Sequence, residues 1–295
     1  MLSQIPPCII ETRKRFADDF NLPIHLFHDP YWDYLVALYD PMFGVSDKLR
    51  MWNEVSDLFK ESHDFKQAMV QAYIQHTRYL EYCTMPTVAI GCTAAIQNIY
   101  QQQHDGRWFI SIDMRNANFA ALQDYGFFPD ISYAKLAGLH SPHRYFAESK
   151  KIRQVIFGNE KLYPVKQRRI QFQWMTDYVW NALPQFTEKC FISPDEIIVD
   201  TTTINRPYKD ILEDIYRAIG QHITGIKVIS FRLKVVDKFF VKEYIDGTFE
   251  FKYVPSYLFP QVLKHYMGRQ VNEMDTTFYH EGRLARFIEP YFTEV

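Results

Sequence analysis

The sequence predicts an α+β protein, with a mainly helical N-terminal part followed by an antiparallel or mixed sheet that helices cover on one face. Apolar residues recur at helical spacing from Ser46 onward, which predicts helices in the first part. The segment 108–112 is short and apolar, as expected of a buried strand. Asp246 and Gly247 separate two alternating segments, which is a strong signal for a hairpin in the last part.

The helical region is expected to span residues 1–105. Its first 45 residues are predicted to be irregular, apart from a short helix near 33–38, because prolines break longer helices. These prolines are Pro6, Pro7, Pro23, Pro30 and Pro41. Ser46 is expected to cap the next helix, and further helices are predicted over 64–82 and 93–103.

The second region, residues 106–295, is expected to contain the sheet, with a small helical insertion at about 120–190. Strands are predicted over 108–112, from Glu196 onward, and over 226–236, 239–245 and 248–254. Helices are predicted over 146–158, 164–183, 207–220 and 255–267. A loop-rich stretch is expected over 124–145, and a polar, partly basic tail closes the chain.

The composition is that of a globular protein, with 47% hydrophobic and 23% charged residues. A formal net charge of −2 excludes a generally basic nucleic-acid-binding protein, although it is compatible with a local basic groove. No apolar run approaches the roughly 20 residues that span a bilayer, so no membrane partner is expected. Scattered cysteines favour a reducing, cytoplasmic location over a disulfide framework or a zinc site. They are Cys8, Cys83, Cys92 and Cys190.

Asp113 follows the predicted strand directly, and it is the first candidate for chemistry. A carboxylate at the end of a strand can leave the core and face a ligand while the strand fixes its position. The alternative is that Asp113 only caps the helix that follows, as aspartate often does.

Asp195 and Glu196 stand at the start of a second predicted strand. Acids on two strands of one sheet can share Mg²⁺ or Mn²⁺, because such ions take carboxylate and phosphate oxygens as ligands. The sequence therefore predicts Asp113, Asp195 and Glu196 as catalytic residues, with Asp113 and Asp195 as the metal ligands. The alternative is that Asp195 and Glu196 merely follow a proline turn and face solvent.

A basic segment is the second candidate. Arg153 and Phe157 lie one turn apart on a predicted helix, where a cation and an aromatic ring can hold the phosphates and the base of a nucleotide. Lys150 precedes them on the same helix. Further cations follow and predict a nucleic-acid-binding strip: Lys161, Lys166, Arg168 and Arg169. A solvated amphipathic helix would show the same pattern.

Three segments resemble, in order, motifs of palm-type polymerases, and of family A DNA polymerases in particular. SIDMRNANF is similar to the first catalytic motif, in which an aspartate ends a strand and a sugar-gating residue follows five positions later, here Asn118. RQVIFG is similar to the finger-helix motif, in which a cation precedes an aromatic residue by four positions. PDEIIVD is similar to the third motif, in which an Asp-Glu pair begins a strand.

The resemblance implies a palm-like sheet in residues 106–295 and a thumb-like helical region in 1–105. It implies that Asp113 and Asp195 hold the metal, Arg153 and Lys150 clamp a triphosphate, Phe157 stacks on the base and Asn118 lies beside the sugar. The chain departs from the family at three positions: Pro194 replaces a histidine, Arg153 a lysine and Ser149 a second basic residue. IRQVIFGN also resembles uncharacterised proteins of large DNA viruses and phages, which suggests a viral protein in a host cell.

The expected function is that of a compact nucleotidyltransferase that acts on nucleoside triphosphates and a nucleic acid with Mg²⁺ or Mn²⁺. The alternative is a non-catalytic nucleic-acid-binding or interaction protein derived from such a fold. A phosphodiester-cleaving enzyme would use the same acids, so the sequence does not separate synthesis from cleavage.

Overall fold

A computed structural model describes most of the chain: residues 7–23, 29–54, 59–86, 98–181, 183, 190–202, 204, 206, 208–220, 225–236, 239–280 and 283–287. Contacts divide it into two compact units, each built from separate segments. Unit 1 contains Met1–Met69, Ser132–Ile156 and Val254–Val295, and unit 2 contains Val70–Ile131 and Phe157–Tyr253. Each unit contains segments from before and from after residue 105, where the chain changes from helices to strands.

The predicted fold class is confirmed, since a mainly helical N-terminal part precedes an antiparallel sheet. The described α-helices are α1 Pro7–Phe20, α2 Asp29–Phe43, α3 Val45–Asn53, α4 Phe59–Ile74, α5 Tyr79–Thr84, α6 Ala117–Asp124, α7 Tyr133–His140, α8 Arg144–Glu148, α9 Lys150–Phe157, α10 Pro164–Met175, α11 Tyr208–Ile219 and α12 Phe259–Tyr266. The described strands are β1 Trp108–Met114, β2 Cys190–Ile192, β3 Glu196–Asp200, β4 Ile226–Val236, β5 Phe239–Tyr244, β6 Phe249–Lys252, β7 Thr277–His280 and β8 Arg283–Arg286.

The sheet of unit 2 has the order β2-β3-β1-β4-β5-β6, and every neighbouring pair is antiparallel. Side chains alternate between its two faces. On one face, the residues of β1 and β3 pack with α11 and the end of α10 in an aliphatic core. The core residues from these two strands are Ile110, Ile112, Met114, Ile197 and Val199.

The opposite face of the same sheet is aromatic and carries charged side chains. Phe109 and Phe231 stack there with ring centroids 5.6 Å apart, in a cluster that also contains Ile99, Ile198 and Leu233. The register places Asp113, Glu196 and Lys227 on this face, because Asp113 lies opposite both of the others. We call it the acidic face below.

Unit 1 is mainly helical, and its core contains two buried carboxylates. Asp19 accepts hydrogen bonds from the Trp52 indole at 3.1 Å and the Tyr145 hydroxyl at 2.6 Å. Asp275 is fully buried and forms a 2.9 Å ion pair with Lys264. Both carboxylates are therefore paired, as burial of a charge requires.

Several local predictions in the N-terminal region are wrong. Residues 7–20 and 29–43 are helical although prolines were expected to break them. Pro7 and Pro30 lie in the first turns of α1 and α2, where a missing N–H costs nothing, and Pro41 lies in the last turn of α2. Gly44 rather than Ser46 caps α3. The predicted helix 64–82 forms two helices, α4 and α5, and most of the helix 93–103 lies outside the described residues.

Further differences occur after residue 124. The stretch expected to be loops contains α7, and the expected helix 146–158 is replaced by α8 and α9. Ser149 separates the latter two, and its hydroxyl accepts a hydrogen bond from the Ile152 amide at the start of α9. The helix expected to run to 183 ends at Met175 and continues as a π-helical turn, Thr176–Trp180. The tail contains the hairpin β7–β8.

Candidate functional site

Three acids meet on unit 2 where β1 ends and β3 begins. Asp113 on β1 is the direct antiparallel partner of Glu196 on β3. Directly opposed residues hold their Cβ atoms about 4.5–5.5 Å apart. Asp195 precedes Glu196, and its carbonyl oxygen accepts a hydrogen bond from the Met114 amide at 2.8 Å. The acids predicted from separate parts of the sequence are thus neighbours in the sheet.

The turn between β2 and β3 fixes the position of Asp195 and Glu196. Ser193 donates its amide to the Glu196 carbonyl at 2.8 Å, and its hydroxyl accepts the Glu196 amide at 3.1 Å. Pro194 occupies the turn, where its fixed φ is compatible with the chain reversal. Pro194 therefore serves the hairpin at the position where the polymerase motif has histidine.

Asp113 does not cap the helix that follows it. The N-cap of α6 is Asn116, in a left-handed conformation with φ of 50°, and Asp113 lies within β1. The alternative interpretation of Asp113 as a helix cap is therefore excluded. Asp113 is half-buried on the acidic face.

The environment of Asp113 opposes its negative charge. Burial, followed by the negative charges of Glu196 and Asp195, raises the pKa of Asp113 from 3.8 to about 6. Lys227 and Lys242 act in the opposite direction without cancelling this effect. Accumulated carboxylates of this kind are typical of sites that receive a cation or exchange a proton.

Lys242 on β5 forms an ion pair with one of these acids, Glu196. Its side chain is buried, with Nζ 3.9 Å from Glu196 Oε1 and 3.8 Å from Glu250 Oε2. Nζ also lies 4.6 Å from the centroid of the Phe231 ring. Burial lowers the pKa of Lys242, and Glu196 and Glu250 counteract this effect. Glu196 additionally accepts a 2.6 Å hydrogen bond from the Ser111 hydroxyl.

The donor set fits a divalent cation only in part. Mg²⁺ is commonly held by one or two carboxylates together with substrate phosphates, and Asp113 with Asp195 or Glu196 can supply those carboxylates. Glu196 already has Ser111 and Lys242 as partners. Within the described residues there is no preformed group of three or more His, Cys, Asp or Glu side chains that would hold a metal alone.

The predicted nucleotide clamp on α9 is not formed as expected. Phe157 is only 2% exposed, because its ring packs against Tyr73 and Phe119 in unit 2. The prediction that Phe157 stacks on a base is therefore wrong. Arg153 belongs to unit 1, where its guanidinium donates to the Ala147 carbonyl at 2.7 Å and lies over the Tyr133 ring. Lys150 is exposed.

One of the four cations predicted to bind nucleic acid is not accessible to it. Lys166 is buried, and its Nζ donates to the carbonyls of Tyr82 at 2.6 Å and Cys83 at 2.9 Å near the end of α5. It therefore has a structural role, and its predicted contact with nucleic acid is wrong. Lys161, Arg168 and Arg169 are exposed in unit 2, and their contact with nucleic acid stays a prediction.

Asn118 lies on α6 close to the acidic end of β1, and α10 holds its side chain. The Gln171 amide donates to Asn118 Oδ1 at 2.7 Å. The helix that follows β1 is therefore fixed against α10 by a polar contact. A fixed Asn118 is compatible with the predicted role beside a sugar, which stays a prediction.

Lys242 was missed as a site residue because strand lysines usually face solvent. The alternation in FFVKEY nevertheless places Lys242 on the same face as Phe240 and Tyr244. When a lysine shares a strand face with two aromatic residues, the pattern indicates that the lysine is buried and paired with an acid. The partner Glu250 lies opposite it on β6.

The raised pKa of Asp113 predicts a pH-dependent difference in stability between the protein and its Asp113→Asn variant. The folded pKa of about 6 exceeds the usual 3.8, so folding favours the protonated acid, and ionisation destabilises the fold as the pH rises from 3.8 through 6. We expect Asp113→Asn to be more stable than the wild type at pH 7 and equal to it at about pH 4. Urea unfolding of both proteins between pH 4 and 8 measures this difference, and a difference that does not change with pH contradicts the assignment.

None of the described helices combines the length and the apolar character needed to cross a membrane. Comparison of the chain with protein-family models, curated proteins and solved structures finds no match. The proposal below therefore depends on the motifs of the sequence and on the geometry of the acidic face.

Proposed function

We propose that the protein is a compact palm-type nucleotidyltransferase, which adds nucleotides from nucleoside triphosphates to a nucleic acid with the help of Mg²⁺ or Mn²⁺. The observation that carries the proposal is the cross-strand pairing of Asp113 with Glu196, beside Asp195 at the β2–β3 turn. The polymerase-like motifs predict these same three residues from the sequence alone.

Asp113 and Asp195 would hold the divalent cation, with Glu196 beside them. When bound, such an ion neutralises phosphate charge and increases the acidity of an attacking hydroxyl. Asp113 is suited to this task because its carboxylate is half-buried, and the nearby Glu196 and Asp195 make its charge costly until a cation arrives. The protein contributes a strand position for Asp113 and for Glu196, and a turn bonded to β1 for Asp195.

The other parts of the proposal involve exposed cations. Lys161, Arg168 and Arg169 of unit 2 would contact the phosphates of the nucleic acid, and Asn118 would lie beside the sugar. Lys150 and Arg153 belong to unit 1, and their contact with a triphosphate stays a prediction from the sequence. Phe157 and Lys166 have no part in this proposal because both are buried.

A second candidate is a non-catalytic nucleic-acid-binding protein derived from the same fold. The observation that favours it is the position of Lys242, whose ammonium group already lies 3.9 Å from Glu196. A lysine in this place can substitute for the charge of a metal ion and stabilise an acidic pair that performs no chemistry. In that case the exposed cations would bind nucleic acid without a metal.

An incorporation assay separates the two candidates. The protein is incubated with labelled nucleoside triphosphates and primed or unprimed DNA and RNA, in Mg²⁺, in Mn²⁺ or in EDTA. The nucleotidyltransferase predicts labelled product with either metal ion and none in EDTA. Salt-sensitive binding of the nucleic acid that persists in EDTA, without product under any condition, supports the non-catalytic protein.

A further inference from the structure

A cavity of about 570 Å³ lies within unit 1, whereas the acids of the proposed function belong to unit 2. Residues of α1, α4 and α9 form its walls. Its volume is in the range of about 300–1,000 Å³ that is usual for small-molecule sites. The cavity is therefore large enough for a ligand of the size of a nucleotide.

Cations from all three helices line this cavity: Lys14, Arg15, Lys66 and Lys151. Within the described part of the chain, Lys14, Lys66 and Lys151 form no ion pair with a carboxylate. A concave surface that gathers unpaired cations from three helices raises the local concentration of anions.

The two acids of the cavity do not balance these cations. Asp18 and Asp19 line it, which leaves an excess of two positive charges. Asp19 is only 5% exposed, and its Oδ2 is engaged by Trp52 and Tyr145. Asp19 is thus part of the core of unit 1, and it fixes the helix that carries Lys14 and Arg15.

Apolar side chains also line the cavity. Ile152 and Val155 line the cavity from α9, and Val155 is 45% exposed. Arg153, between them in sequence, makes its contacts with Ala147 and Tyr133. The cavity therefore combines a cationic part with an apolar surface on one face of α9, which suits a ligand with a phosphate and a carbon skeleton.

We propose that this cavity binds the phosphate of a small phosphorylated molecule of nucleotide size, with Lys14, Lys66 and Lys151 as the phosphate ligands and Val155 against the organic part. The inference does not depend on the proposed nucleotidyltransferase activity. Burial and then the charge of Arg15 lower the pKa of Lys66, whereas Asp19 raises it, and an anion bound beside Lys66 would act in the same direction as Asp19.

Binding of inorganic phosphate and of AMP, measured by calorimetry and by NMR chemical-shift changes, tests the inference. We expect both to bind the wild type, and we expect Lys66→Gln and Lys151→Gln each to weaken binding about 10-fold, as loss of a charge-assisted contact does. The matched control is Lys135→Gln, which removes an exposed lysine of unit 1 that does not line the cavity. Circular dichroism of each variant verifies that it is folded.

Equal binding by the Lys66→Gln, Lys151→Gln and Lys135→Gln variants would overturn the site. Val155→Ala should weaken binding of AMP and leave that of phosphate unchanged, and an equal effect on both contradicts the assigned organic part. A single-stranded oligonucleotide that binds more tightly than AMP and displaces phosphate would show that the cavity takes a polymer instead.

Discussion

Asp113→Asn is expected to reduce metal-dependent nucleotide incorporation by about 10²–10³-fold, a loss typical of removing one electrostatic group that acts in the transition state. The substitution keeps the size and shape of the side chain and removes only its charge. Because Asp113 is the half-buried partner of Glu196, the amide would leave the acidic face without the carboxylate best placed for a cation. Steady-state incorporation rates at saturating Mg²⁺ measure the effect.

Asp210→Asn is the matched control for this variant. Asp210 is an exposed acid in the first turn of α11, in the same unit of the protein. Its substitution should leave the incorporation rate within about twofold of the wild type, as expected for a surface change away from the site. Because Asp113→Asn is predicted to be the more stable protein at neutral pH, a loss of its activity would not be explained by unfolding. Incorporation that is equal in both variants would remove Asp113 from the proposed site.

Asp275→Ala is expected to destabilise unit 1 by about 3–5 kcal/mol, the usual cost of removing one partner of a buried ion pair. Asp275 is fully buried, and its carboxylate contacts three groups. These are the Lys264 ammonium at 2.9 Å, the backbone amide of Asn272 at 2.7 Å and the Tyr34 hydroxyl. Alanine would leave the buried ammonium of Lys264 unpaired. Urea unfolding followed by circular dichroism measures the change in the free energy of unfolding.

Two further variants check the cause of this loss. Asp47→Ala removes an exposed acid of unit 1 that is paired with Arg50 and Arg144, and it should cost less than about 1 kcal/mol. Adding Lys264→Met to Asp275→Ala removes the unpaired charge and should recover part of the lost stability. If Asp275→Ala costs no more than Asp47→Ala, the buried pair does not stabilise unit 1 as described.

The sheet was predictable from the sequence because its strands have strong local signals. Strand β4 has the predicted bounds 226–236, and the Asp246-Gly247 turn joins β5 and β6 with Gly247 at a φ of 81°. The hairpin β7–β8 was missed although Thr277 to Tyr279 are β-forming residues, because polar neighbours obscure the pattern. The early helices were missed because a proline is an ambiguous signal, which breaks a helix in its interior and is accepted in its first turn.

The candidate site was predictable only as far as strand positions determine it. The order of Asp113 and Asp195-Glu196 along the chain suggested a shared sheet, but only the register shows that Glu196, and not Asp195, lies opposite Asp113. Spacing along a helix likewise predicted that Arg153 and Phe157 lie on one helix face. It does not show which residues pack against them. Tertiary packing decided the burial of Phe157 and of Lys166, and no local pattern contains that information.

The central claim is that the acids of β1 and β3 form a cation site, and binding of Mn²⁺ tests it most directly. Titration of the protein with Mn²⁺, followed by electron paramagnetic resonance, counts the bound ions with and without a nucleoside triphosphate. The account predicts that the wild type binds Mn²⁺ in the presence of the triphosphate, that Asp113→Asn loses this binding and that Asp210→Asn retains it. Mn²⁺ binding that is the same in the wild type and in Asp113→Asn would contradict the account.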